Sequence, residues 1–296
     1  MKKEENPGMS GNLFLVATPL GNLGDLTRRA AQVLEEVDLI AAEDTRQTKK
    51  LLSHLSLRKQ LLSNYRENER EQAEKIIGLL KEGKNIALVS DAGTPGLSDP
   101  GAFLVQKAVE EGIRVIPIPG AAACIIALVA SGLPTDRFVF EGFLPRKNKE
   151  RKERLAALVQ EERTIILYEA PHRLDQTLSD LCSVLGADRR VVVARELTKI
   201  HEEFWRGTLA EAVRTWGERE KKGEFTLVLE GKRTVAEEEL TDYSPFYREI
   251  VARKARGEKP SAVIREIAKR EGVARSELYQ FYLEKAKKEE TLLLHE

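Results

Sequence analysis

Residues 89–101 read VSDAGTPGLSDPG, and they directly follow the apolar run Asn85-Ile86-Ala87-Leu88-Val89. A strand-to-helix turn needs only a few residues. This one spends thirteen, five of them Gly or Pro. Small side chains leave backbone N–H and C=O groups open to close approach, so the loop reads as a surface against which a ligand lies. Two more loops of the same kind follow apolar runs. One is Thr18-Pro-Leu-Gly-Asn-Leu-Gly-Asp25, after Leu13–Ala17; the other is Pro117-Ile-Pro-Gly-Ala-Ala-Ala123, after Val115–Ile118.

Outward from these loops, strand-like and helix-like stretches alternate. Strands are expected at Leu13–Ala17, Leu39–Ala42, Gln60–Ser63, Ile86–Val89 and Val115–Ile118. Helices are expected at Leu26–Glu36, Thr45–Leu55, Glu67–Lys81 and Ala102–Glu111, with another from Gly120. Short continuous apolar strands between helices indicate a parallel sheet covered on both faces. In such a sheet, ligands bind beyond the carboxyl ends of the strands, where all three loops would emerge. Gly132-Leu-Pro-Thr135 breaks the pattern, and a second α/β set follows. Glu203–Gly207 comes too soon after Val191–Ala194 for a helical crossover, so that sheet is expected to contain antiparallel pairing. The domain reading is a tail over 1–11, α/β domains over 12–132 and 133–233, and a helical module over 234–296 that opens with an acidic linker, Thr234–Thr241.

The 296 residues carry 48 basic and 48 acidic side chains, so overall charge names no polyanionic partner; local patches must do so. Cys124 and Cys182 lack metal-ligand spacing and read as buried thiols, and no His or Cys set indicates a metal. No apolar run approaches a membrane span and the N-terminus lacks a signal-peptide core, so a cytoplasmic location is expected. The ligand does not read as a nucleotide phosphate. There is no G-x-x-x-x-G-K-[ST], the Gly21-Asn-Leu-Gly24 spacing is wrong for a pyrophosphate, and the loops are poor in Lys and Arg.

The stretches ATPLGNLGDLT (17–27), AAEDTRQTKKLL (41–52), VSDAGTPGLSDPG (89–101), VIPIPGAAA (115–123), GLPTDRFVFEGFLPRK (132–147), YEAPHRL (168–174), RELTKIHEEFWRGTL (195–209) and GEFTLVLEG (223–231) resemble the tetrapyrrole-methylase superfamily. The resemblance is closest to the branch that methylates a cytidine ribose 2′-hydroxyl in 16S ribosomal RNA. It implies two α/β domains with S-adenosylmethionine (SAM) in the cleft between them, a small-ribosomal-subunit substrate and a homodimer. It further implies cofactor contacts from Pro19, Leu20, Gly21, Asn22, Asp91, Ala92, Gly93, Thr94, Pro95, Gly120, Ala121 and Ala122. From the second domain it implies contacts around Tyr168, Leu197 and Thr226. Two rivals stay open, a methylase of a small tetrapyrrole-like substrate and a non-catalytic RNA-binding protein.

Methyl transfer to a ribose hydroxyl needs in-line positioning, which supplies on the order of 7 kcal/mol in well-oriented systems, and gains from a nearby proton acceptor. Glu43, Asp99, His172 and Lys199 are the candidates. Each has a structural alternative: an ion pair for Glu43 with Arg46, a helix N-cap for Asp99 ahead of Pro100, a cap for His172, and a salt bridge to Glu196 for Lys199. For RNA, the run Arg146-Lys-Asn-Lys-Glu-Arg-Lys-Glu-Arg154 offers six cations in nine residues, with Arg146, Lys147, Lys149 and Arg151 leading. Pro260–Arg270, a Gly-containing turn and a helix expected to be capped by Ser276 form a helix-turn-helix pattern. That pattern exposes Arg265, Lys269, Arg270 and Arg275. Contact with RNA shape and phosphate is expected from it rather than base reading.

Overall fold

The computed structural model describes residues 10–232 and 243–293, with side chains described as far as residue 286. Residues 1–9 of the tail expected over 1–11, and the acidic linker, lie outside the described residues. Ten strands are present among them: β1 (Leu13–Val16), β2 (Leu39–Ala42), β3 (Gln60–Ser63), β4 (Ile86–Val89), β5 (Val115–Ile118), β6 (Phe138–Phe143), β7 (Thr164–Glu169), β8 (Arg190–Arg195), β9 (Glu203–Thr208) and β10 (Phe225–Leu229). The helices are α1 (Arg28–Glu36), α2 (Thr45–His54), α3 (Glu69–Lys81), α4 (Ala102–Glu110), α5 (Ala123–Ser131), α6 (Asn148–Leu158), α7 (Leu174–Leu185), α8 (Leu209–Gly217), α9 (Ser244–Ala255), α10 (Pro260–Glu271) and α11 (Arg275–Leu293).

The first sheet runs β3-β2-β4-β1-β5, all parallel. Side chains alternate across a strand, and here both faces are apolar. Leu13, Leu39, Ile86 and Leu88 pack under α3 and α4, against Ala73, Ile76, Leu80 and Leu104. Ile40, Ala87 and Val89 face the other way onto Ala30, Val33 and Leu34 of α1 and Leu51 and Leu52 of α2. That two-sided burial is why these strands read as unbroken apolar runs.

The second sheet runs β6-β7-β10-β8-β9. β6 and β7 are parallel, and the remaining pairs are antiparallel. One face packs on α6, α7 and α8, where Leu174, Leu178, Leu181 and Trp216 meet Ile165, Leu167, Val193 and Leu227. The other face is covered by α5, whose Cys124, Ala127 and Leu128 pack on Ile166, Val192 and Val228. So α5 follows β5 in sequence yet serves the second sheet, because its buried residues have no free face of the first sheet left to cover. Cys124 is buried and Cys182 half-buried, both as free thiols.

The described residues 243–293 belong to a separate compact unit. In it α9, α10 and α11 enclose Tyr247, Ile250, Val263, Ile264, Ile267, Leu278 and Tyr282. Gly272, in left-handed backbone, ends α10. Ser276 does not cap α11, which begins one residue earlier, at Arg275. Among the described residues, no helix is long and apolar enough to cross a membrane.

Candidate functional site

The three small-residue loops meet. Thr18 and Gly93 exchange backbone hydrogen bonds of 2.8 and 3.1 Å, stitching the loop after β1 to the loop after β4. The Thr18 hydroxyl also donates to the Ser90 carbonyl at 3.2 Å. The Thr94 hydroxyl donates to the Ala121 carbonyl at 2.9 Å, adding the loop after β5. Gly93 has φ +81°, and a Cβ there would stand 3.1 Å from Leu20 Cδ2. A side chain at this position is strained by the left-handed backbone and crowds Leu20 as well.

Opposite these loops stand the end of β7 and the start of β10. They are adjacent because the two strands are antiparallel, with Phe225 paired to Glu169 and Thr226 to Tyr168. The Tyr168 hydroxyl accepts the Cys124 N–H at 3.0 Å, tying the second sheet to the first turn of α5. Its ring packs edge-on to Phe140 and Phe143, and burial pushes its hydroxyl above the usual tyrosine range. Between the two sides lies a crevice of about 370 Å³, within the size range of small-ligand sites.

Of the residues anticipated for the cofactor or catalysis, Leu20, Glu43, Asp91, Ala92, Gly93, Thr94, Asp99, Ala122, Tyr168 and Thr226 line this crevice. Pro19, Gly21, Asn22, Pro95, Gly120, Ala121 and Leu197 do not line it. Asn22 accepts the Gly24 N–H at 3.0 Å, and Leu197 is buried in the core around α5. Lys199 lies against Gly21, and its ammonium bridges Glu196 at 2.8 Å and Glu224 at 3.1 Å. His172 is exposed and opens onto a different groove. Leu97, Phe143, Glu169 and Glu224 also line the crevice without having been singled out. All but Leu97 sit in second-domain motif stretches, so the motifs held the signal but not the direction of the side chains.

The crevice is acidic. Glu43, Asp91, Asp99 and Glu224 line it with carboxylates, and among the described residues no Lys, Arg or His lines it. Asp91 accepts the Asp44 N–H at 2.9 Å, and burial raises its carboxyl above the ordinary range. Burial first, then the Asp91 charge, raise Glu43. Asp99 is pushed up to about 6, chiefly by burial and next by the charge of Glu43. Asp99 does not cap α4; the cap position is Gly101, at φ +131°. Its neighbour Ser98 holds left-handed backbone at φ +67°, a strained geometry of the kind that gathers at functional sites. Glu43 and Arg46 form no pair. Arg46 instead forks onto Asp44, at 2.7 Å for its closest nitrogen, and that contact holds the Asp44 carboxyl down at about 2.

Glu169 reaches the wall through its backbone, because its side chain is fully buried on the α7 side, 3.6 Å from Arg173 Nε. It is 2% exposed and accepts the Thr177 hydroxyl at 2.5 Å and the Ala170 N–H at 2.8 Å. Among the residues anticipated for RNA, Arg151 is 8% exposed, with Nε on Asp180 at 2.7 Å and Nη2 on Thr177 at 2.8 Å. Lys147 lies 3.5 Å from Glu150, while Arg146 and Lys149 are exposed. In the C-terminal unit, Arg270 is tied to Glu249 and Glu271, whereas Arg265, Lys269 and Arg275 are exposed. Arg151 and Arg270 are therefore engaged within the protein, because each has carboxylates within one helix turn or on a facing helix.

Residues 12–213 match the family model of Tetrapyrrole (Corrin/Porphyrin) Methylases. Among its relatives are proteins that bear the name ribosomal RNA small subunit methyltransferase I. The protein from Synechocystis sp. (strain ATCC 27184 / PCC 6803 / Kazusa) is 52% identical, covering 93% of this chain and 98% of its own. That from Escherichia coli O157:H7 is 45% identical over 96% and 99%. That from Bacillus subtilis (strain 168) is 45% identical over 92% and 94%. Among solved structures, uroporphyrin-III C-methyltransferase from Thermus thermophilus, complexed with S-adenyl homocysteine, aligns with a TM-score of 0.54 at 18% identity, covering 74% of this chain and 97% of that one. Diphthine synthase aligns with a TM-score of 0.58 at 16% identity, over 74% and 90%. At such identities these two speak for the fold, while the longer and closer matches speak for the lineage. The chain belongs to the tetrapyrrole methylase family and, within it, to the ribosomal RNA small subunit methyltransferases I.

Proposed function

We propose that this protein methylates a cytidine ribose 2′-hydroxyl in 16S ribosomal RNA, with SAM as methyl donor held in the acidic crevice. The observation that carries the reading is the lining of that crevice: the carboxylates of Glu43, Asp91, Asp99 and Glu224, the last bridged to Lys199, over apolar walls with no cation among the lining residues. Such a lining suits a ligand that is cationic at one end and apolar elsewhere, and it disfavours a free nucleotide phosphate. SAM, with a sulfonium, an amino group and an adenine, has that character, and its relatives' names give the RNA substrate.

When bound, SAM supplies an electrophilic methyl group on a positively charged sulfur. The chain's own residues do the rest. Glu43, Asp91 and Asp99 hold positive charge at the carboxyl ends of the first sheet's strands. Leu20, Leu97, Ala122 and Phe143 give apolar contact and exclude water. Gly93 keeps the wall free of a side chain, so a ligand lies directly on backbone. Asp99, raised toward neutrality yet mostly ionised at pH 7, takes up the proton that the acceptor hydroxyl releases. His172 and Lys199 stay outside this step, one opening on another groove and the other locked between two glutamates.

The test is methyl transfer from labelled SAM into small ribosomal subunits and naked 16S RNA from a strain lacking the gene, followed by nucleoside mass spectrometry. The expected product is 2′-O-methylcytidine. Label on a base, or only on a porphyrinoid acceptor, refutes the assignment.

A further inference from the structure

A second cavity, of about 520 Å³, lies between the start of α6 and α7, and its lining has the opposite sign. Arg146, Arg151, Lys152 and Arg173 line it together with His172; its single carboxylate, Asp180, is already paired with Arg151, and Arg173 lies 3.6 Å from the buried Glu169. The chain passes from one cavity to the other twice. Phe143 lines the crevice and Arg146 the groove; Pro171 lines the crevice and His172 the groove. Arg173 braces this junction by donating to the Leu144 carbonyl at 2.8 Å. The two cavities are thus neighbours with the turn Pro171–Arg173 as the rim between them.

Resting on the methyltransferase reading above, we infer that this groove seats the sugar-phosphate backbone of the RNA beside the target nucleotide. A phosphodiester is repelled from a crevice walled by carboxylates, yet the reacting ribose must enter it. The phosphates next to that ribose therefore lie just over the rim, and the cations are there. Two further features fit a phosphate. α6 starts without a side-chain cap, leaving the first N–H groups of an eleven-residue helix open at Asn148. Arg151, on the groove wall, uses Nε and Nη2 within the protein, but its buried Nη1 has no partner. Arg146 and Lys152 are exposed and, among the described residues, make no ion pair, so their charge is available.

The test uses the double variant Arg146→Ala/Lys152→Ala in the full chain. Its binding to fluorescently labelled single-stranded 16S RNA segments is measured from about 50 to 300 mM KCl, the range over which phosphate contacts register. Losing two phosphate contacts lowers the magnitude of the log K against log salt slope by about 1.4, at roughly 0.7 per single-strand phosphate. SAM affinity and the thermal melt stay unchanged, since neither residue touches the crevice or the core. KM for subunits rises while kcat holds. A control, Arg28→Ala/Arg29→Ala, removes two exposed cations of α1 and leaves the slope unaltered. An unaltered slope in the groove variant, or an equal fall in the control, overturns the inference. Binding is scored without turnover, so failure of the methylation reading alone appears as wild-type binding with no 2′-O-methylcytidine.

Discussion

Replacing Asp99 with Asn tests the electrostatics of the crevice most directly. The carboxyl is raised from 3.8 to about 6, first by burial and then by Glu43. A cationic ligand favours the ionised form, so in the wild-type protein its dissociation constant rises as pH falls through 6. At pH 5 about nine-tenths of the group is protonated, and the loss of affinity relative to pH 7.5 approaches tenfold. Asp99→Asn flattens that profile and, at pH 7.5, binds SAM more weakly by a similar factor. The stability sign runs the other way. Between 3.8 and 6 the folded protein holds the extra proton, so wild-type stability falls as pH rises through that window. The variant, free of a buried charge, gains on the order of 1 kcal/mol at pH 7.5 and nothing at pH 4; partial exposure keeps this below about 1.4 kcal/mol per pKa unit. Isothermal calorimetry with SAM and with S-adenosylhomocysteine, which lacks the sulfonium charge, reads the first effect, and denaturant melts at both pH values read the second. Equal pH profiles for wild type and variant would refute the claim that Asp99 meets positive charge in the crevice.

Two further outcomes follow from the packing. Gly93→Val, at φ +81° and with Leu20 Cδ2 3.1 Å from where its Cβ would sit, abolishes SAM binding by calorimetry. The fold survives the roughly 1–2 kcal/mol of backbone strain, as circular dichroism melts will show. Arg151→Leu strands Asp180 and removes the Thr177 contact; chemical denaturation should show a loss of about 2 kcal/mol, below the range for fully buried pairs because Asp180 keeps partial exposure.

The order of strands and helices, the parallel first sheet and the ligand-edge loops were legible in the sequence because they follow from local pattern. Apolar runs four residues long mark strands buried on both sides, and Gly and Pro mark the turns. The antiparallel pairing of Glu203–Thr208 with β8 followed from the shortness of its connection. What the pattern could not give was the direction of individual side chains. Lys199 and His172 sit in motif stretches as site-like as Glu43 and Asp99, but one bends back between Glu196 and Glu224 and the other faces away. Arg151 belongs to a basic run, yet a half turn of helix carries it inward to Asp180.

The sequence by itself determined that three small-residue loops follow apolar strands and that a methylase-like set of motifs surrounds them. Only the tertiary structure decided that carboxylates from the loops after β2 and β4 share one crevice with Glu224, while cations gather just beyond Pro171. Local pattern sets which residues form each strand. Charge segregation depends on which strand ends are brought together, and that depends on antiparallel register between β7 and β10, pairing residues more than fifty positions apart.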